Sequence, residues 1–138
     1  MKYMFILSAN EESEAGGTPS EADLNAMGAY NDELIKAGVL LAGEGLHPSS
    51  DGARVEFDGD ERSVTDGPFT ETKELIAGFW IIQASSREEA LEWARRIPLT
   101  SGRVEVRQVF DVSEFDQDNA YVQKEKAWRE AGNEARTA

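Results

Sequence analysis

Apolar and polar positions change period several times along this chain, and each change marks an expected element. From Tyr3 to Ala9 the residues are almost continuously aromatic or aliphatic, the pattern of a buried strand. The polar run Asn10 to Thr18, with Gly16 and Gly17, ends it and predicts a loop. Ser20 then offers an N-cap hydroxyl, and Glu21 and Asp23 fall in the first turn, where acids meet the positive end of a helix dipole. Leu24, Met27, Leu34 and Ile35 recur at helical spacing and Gly38 suits the position just past a helix end, so a helix is predicted over Glu21 to Ala37.

Val39 to Ala42 reads as a second strand, and Gly43, Gly45 and Pro48 break the pattern into a loop that carries His47. Ala53 to Phe57 alternates in strand fashion, Asp58-Gly59 signals a tight turn, and Glu61 to Thr65 returns antiparallel. A further turn, Asp66-Gly67-Pro68-Phe69, and the charged stretch Thr70 to Glu74 lead into Ile76 to Ala84, a buried strand by composition. Ser86-Arg87-Glu88-Glu89 spells a capping box, the Ser86 hydroxyl and Glu89 carboxylate each satisfying an orphaned backbone N–H. Ala90, Leu91, Trp93, Ala94 and Ile97 form the stripe of a second helix, which Pro98 ends, and Arg103 to Arg107 alternates as a half-exposed last strand. The order β-α-β, hairpin, β-α-β describes an α+β domain over residues 1–110. From Asp111 the chain is acidic and then helix-prone around Tyr121, Val122, Ala127 and Trp128, which predicts a docked C-terminal tail helix within an extension over 111–138.

Strand alternation adds a constraint. Met4 and Ile6 oppose Tyr3, Phe5 and Leu7; Leu40 opposes Val39 and Leu41; Trp80 and Ile82 oppose Phe79 and Ile81, so these strands are apolar on both faces. Two amphipathic helices cover one face only. The other needs a lid, either the tail helix or the same face of a second subunit, and a self-complementary face favours a two-fold homodimer.

Composition narrows the partners. The 138 residues hold 14 Lys and Arg against 27 Asp and Glu, a formal charge of −13, which repels phosphate backbones and anionic lipid and argues against nucleic acid or a membrane as a direct partner. There is no cysteine, so neither disulfides nor thiolate metal sites support the fold, which suits a reducing cytoplasm. The N-terminal apolar stretch is too short for a signal core or a membrane span.

Several motifs fall together. Asp66-Gly67-Pro68-Phe69-Thr70-Glu71-Thr72-Lys73-Glu74 followed by Gly78-Phe79 resembles the signature of the DGPF-domain branch of the YCII-related family. Met1-Lys2-Tyr3-Met4, Gly45-Leu46-His47-Pro48 and Glu89-Ala90-Leu91-Glu92-Trp93-Ala94 with Pro98 stand in the order that family shows, over about Met1 to Phe110. The resemblance implies a ferredoxin-like βαββαβ unit with an inserted β-hairpin, dimerising sheet to sheet as a dimeric α/β barrel. It also implies a His and an Asp working in a cleft, and, for some members, genes beside extracytoplasmic-function sigma factors. No cofactor is implied.

His47 and Asp66 are what this sequence offers for such a pair. Imidazole is the side chain that gives and takes protons near neutrality without help, and a carboxylate beside it fixes its tautomer and raises its basicity, as isomerases, lyases and dehalogenase-like enzymes need. Each residue also has a plain structural reading: His47 as a turn residue, Asp66-Gly67-Pro68 as a rigid entry to the next strand. Glu71, Lys73 and Glu74 form either a solvated face or a pocket rim, with Lys73 placed to hold a small anionic ligand. Tyr3 and Arg107 are supporting donors on strands, or ordinary lining. One His among scattered carboxylates lacks the spacing of a metal site, and the glycines match no nucleotide loop. A ligand-sensing or regulatory dimer that works with a sigma factor is the alternative to an enzyme.

Overall fold

The structure, a computed structural model, describes residues 1–132. Its strands are β1 (Lys2–Ser8), β2 (Leu40–Gly45), β3 (Ala53–Asp58), β4 (Glu61–Asp66), β5 (Ile76–Gln83) and β6 (Val104–Gln108). Its helices are α1 (Glu11–Glu14), α2 (Glu21–Lys36), α3 (Arg87–Arg95) and α4 (Ala120–Glu130). Four strands form one sheet in the order β2-β5-β1-β6, antiparallel at every joint, and β3 pairs with β4 as a separate hairpin. The two most apolar strands lie at the centre. Two β-α-β crossovers interleave, which is the ferredoxin-like α+β arrangement, and the sheet stays open with β2 and β6 as its edges.

Register decides which face is core. Tyr3 stands opposite Ile82 and Phe5 opposite Trp80, so these four share the helix-covered side. All four are buried, together with Tyr30 and Leu34 of α2, Ala90 of α3 and Ile97. Met27 packs on this cluster, whereas Leu24 and Ile35 of the expected α2 stripe face outward, because Tyr30 takes the inward position between them. Polar atoms within this layer are paired: the Trp80 indole N–H donates to Asn31 Oδ1 at 2.8 Å, and the Tyr30 hydroxyl donates to the Trp93 carbonyl at 2.8 Å. The Tyr30 and Trp80 rings meet edge to face with centroids 5.8 Å apart.

The opposite face carries Met4 opposite Ile81 and Ile6 opposite Phe79, all half-buried. Among the described residues, none of these belongs to the core cluster or packs on it. Glu105 and Arg107 of β6 and Glu44 of β2 share this face and give it a polar rim. The tail forms α4 as expected, capped by Asn119, and packs on the tight turn Val112–Glu114 with Tyr121 and Trp128 still exposed. Residues 133–138 of the expected extension lie outside the described residues.

Three expectations shift. Gly43 and Gly45, expected to break the chain into a loop, lie within β2 and pair with Trp80 and Gly78 of β5. The segment after β1 is not all loop: the Asn10 side chain accepts from the Ser13 N–H, and the Asn10 N–H donates in turn to the Ser13 hydroxyl oxygen, a reciprocal box that starts α1. At α3, Ser86 caps Glu89 as predicted, but the Glu89 carboxylate reaches back to the Ser85 N–H and hydroxyl instead of Ser86, which draws its pKa down.

Burial pushes the Tyr30 phenol up from 10.0 to about 12, against the lowering influence of the Arg96 charge. The unfolded chain releases this proton first, so its contribution to stability is complete below pH 10.0 and is lost as pH climbs toward about 12. Tyr30→Phe is expected to lower stability by about 1 kcal/mol at neutral pH. It should also flatten the alkaline fall, which urea titrations across that range will measure.

Candidate functional site

Where β2 and β5 leave the sheet, a cleft of about 680 Å³ opens between the strand ends, the residues before α2, and the loop that carries His47. Leu7 and the edge of Trp80 supply its apolar floor; Met27 and Asn31 of α2 and Glu12 and Ser13 of α1 supply walls. The strands close tightly at its base. A Cβ added to Gly78 would lie 2.7 Å from the Glu44 carbonyl oxygen, so β5 can pass this close to β2 only with glycine there.

His47 stands at the mouth, and its Nδ1 lies 2.9 Å from Asp51 Oδ2. Asp51 ends the tight turn Ser49–Asp51 that follows Pro48, with its N–H donating to the Pro48 carbonyl at 3.0 Å. That turn brings the carboxylate back onto a ring four residues earlier. In a neutral ring the bond places the proton on Nδ1 and leaves Nε2 with a free lone pair. The pair is open to water, with side chains 85% and 59% exposed, so its Coulomb attraction is screened and its value is orientation more than energy.

Contacts from Glu14 and Phe69 hold the turn. The Ser49 N–H donates to Glu14 Oε1 at 3.0 Å, the Ser49 hydroxyl donates to the other Glu14 oxygen, and the Phe69 N–H donates to Ser49 Oγ at 3.0 Å. The Gly67 N–H reaches the Gly52 carbonyl at 2.9 Å. A Cβ on Gly67 would sit 1.8 Å from the Ser49 carbonyl oxygen. Gly67-Pro68 is a cis peptide, and the Arg54 guanidinium stacks 3.8 Å from the Phe69 ring centre. The Asp66 to Phe69 segment is thus a brace packed against the turn that bears Asp51.

The residues expected at the site are distributed differently. The carboxylate on His47 is Asp51; Asp66 ends β4 opposite Ala53, exposed, and is not part of the cleft wall. Tyr3 is buried in the core. Glu71 pairs with Arg54 at 3.4 Å, and Lys73 and Glu74 lie exposed on the turn Thr72–Glu74, where the Lys73 carbonyl accepts from Arg103 at 2.7 Å. Arg107 sits on β6 beside Glu105, 3.7 Å away. None of these lines the cleft. The charged groups that do are Glu12, Asp23, Glu44 and Asp51 with His47, and no Lys or Arg. Among the described residues no group of three His, Cys, Asp or Glu is placed to hold a metal ion. Asp51 was legible in principle, since Pro48-Ser49-Ser50-Asp51 is turn-forming and Asp51 follows His47 by four. Glu14 had no local signal: it reaches Ser49 across 35 positions.

The sequence profile of a family described as YCII-related domain matches residues 1–113. An uncharacterized protein of Rhizobium meliloti (strain 1021) is 34% identical over 108 residues, a stretch covering 74% of this chain and 87% of that protein.

Gly67→Ala must displace backbone and is expected to cost at least about 1–3 kcal/mol. Gly45→Ala, where a Cβ meets nothing within 4 Å, is expected to change stability by less than about 0.5 kcal/mol. Thermal and urea unfolding of the two variants side by side measure the difference.

Proposed function

From the premise that this chain belongs to the family of YCII-related domains, we propose that it binds a small molecule in the cleft and moves a proton on it, with His47 as the base and Asp51 as its orienting partner. The observation that carries this is the 2.9 Å contact between His47 Nδ1 and Asp51 Oδ2 at the mouth of the cleft. With Nδ1 occupied, Nε2 accepts a proton from a carbon acid or hydroxyl of the ligand, and Asp51 stabilises the imidazolium that forms. The same ring then returns the proton elsewhere, which is the chemistry of an isomerase, a lyase or a dehalogenase-like enzyme. An acidic lining with no Lys or Arg favours a neutral or weakly basic ligand over the small anion that Lys73 suggested.

The DGPF segment, Asp66 to Phe69, is proposed as the brace of this site rather than its chemistry, since it bonds to Ser49 and Gly52 and stands off the cleft. The open sheet face is proposed to meet the same face of a second copy, giving a two-sheet core and the dimeric α/β barrel that the resemblance implies. No helix among the described residues is long and apolar enough to cross a membrane, and the lack of cysteine supports a place in a reducing compartment such as the cytoplasm.

A second reading has one observation in its favour. The His47 side chain is 85% exposed, more than a proton-transfer group shielded from water requires, and this suits a ligand-sensing dimer that binds without turnover and passes the signal to a partner such as a sigma factor.

Both readings are tested by screening uncharged and amine-bearing small molecules for thermal stabilisation, then assaying hits for turnover. His47→Ala is expected to lower turnover about 100-fold or more, and Asp51→Asn about fivefold, while Asp66→Asn leaves it unchanged. Binding without turnover selects the sensing reading. If Asp66→Asn abolished turnover and Asp51→Asn spared it, the assignment of the pair would be wrong.

A further inference from the structure

The turn that presents Asp51 to His47 is a single 3-10 turn, closed by the Asp51 N–H on the Pro48 carbonyl and the Gly52 N–H on the Ser49 carbonyl. It spans Ser49–Asp51, Gly52 follows it, and the β3–β4 hairpin beyond is exposed at every position. Its fixed points come from elsewhere. Both oxygens of Glu14 take bonds from Ser49, one from its N–H and one from its hydroxyl. The same hydroxyl oxygen accepts the Phe69 N–H, so Ser49 joins α1 to the brace segment through a single side chain. Glu14 and Ser49 are both partly buried, unlike the exposed pair they support. Glu12 and Ser13, the two residues before Glu14, line the cleft. One short helix therefore forms a wall of the site and grips the turn that aims its base.

We propose that Glu14 is a positioning residue for the His47–Asp51 pair, acting through Ser49; the inference rests on the reading of that pair as the working group of the cleft. With Glu14 on Ser49, the turn keeps Asp51 Oδ2 against Nδ1, and the neutral ring is held in its Nδ1–H tautomer. Free imidazole side chains favour the opposite form, Nε2–H, in which the nitrogen left open by Asp51 already carries a proton and cannot act as base. Releasing the turn lets the ring revert.

The chain has one histidine, so nitrogen NMR of the ligand-free, full-length protein at a pH where the ring is neutral reads a single pair of ring nitrogens. Glu14→Ala and Ser49→Ala are each expected to lower the Nδ1–H to Nε2–H ratio about threefold to fivefold, the size of effect an exposed pair supports. Ser49→Thr, which keeps a hydroxyl, restores the ratio, and Glu11→Ala, on the same helix but exposed and outside both the grip and the cleft, leaves it unchanged. Circular dichroism shows which variants are folded, and if Glu14→Ala is not, the contrast between Ser49→Ala and Ser49→Thr decides. Folded Glu14→Ala and Ser49→Ala proteins with the native ratio overturn the proposal, as does an equal shift in Ser49→Thr. The readout needs no ligand, so a failure of the cleft's proposed chemistry appears separately, as ligand binding and turnover that ignore His47→Ala.

Discussion

The main sheet is apolar on both sides, and its two crossover helices cover only one. That imbalance governs the rest of the molecule. On the covered side, Tyr3, Phe5, Trp80 and Ile82 meet Tyr30, Leu34 and Ala90 in a packed layer whose polar atoms are paired by Asn31 and the Trp93 carbonyl. On the other, Met4, Ile6, Phe79 and Ile81 form a half-buried patch rimmed by Glu44, Glu105 and Arg107. Apolar surface left wet forgoes roughly 25 cal/mol per Å², and an apolar patch with a polar rim has the composition of an interface. The tail helix packs instead on the turn at Val112–Glu114 and keeps Trp128 45% exposed. A second copy is the lid proposed here, since its own patch has the same width, chemistry and need.

The candidate site belongs to the loops at one end of that sheet. The strands contribute a rigid floor, tight enough at Gly78 that no side chain fits between β5 and the Glu44 carbonyl. The loops contribute His47 and Asp51, and their order comes from contacts far apart in sequence: Glu14 to Ser49, Ser49 to Phe69, Gly52 to Gly67. The segment Asp66 to Phe69 is a piece of this scaffold. Its glycine is required because a backbone carbonyl occupies the space a Cβ would fill.

How much of this was legible in the sequence follows from the range of each interaction. Strands, helices and the hairpin rest on local periodicity and turn chemistry, and they appear within a residue or two of their expected ends, except that β2 runs on through Gly43 to Gly45. Of the stripe read from Leu24, Met27, Leu34 and Ile35, Leu34 is buried and Met27 packs on the core, but Leu24 and Ile35 are exposed; Tyr30 was missed because only its packing against Trp80 shows that it faces inward. The pairing of His47 with Asp66 assumed that a shared motif context meant a shared site. The turn after Pro48 supplies a carboxylate from much nearer, at Asp51, and the hairpin carries Asp66 to its partner Ala53. Glu14 sat in a segment read as loop, and a latch across 35 positions leaves no local trace.

Sedimentation velocity of the purified full chain at micromolar concentration tests the closure of the open face most directly. A species of twice the chain's 15.2 kDa, reduced to single chains by Ile81→Lys, is the predicted result. A native protein that sediments as one chain under those conditions would contradict the account.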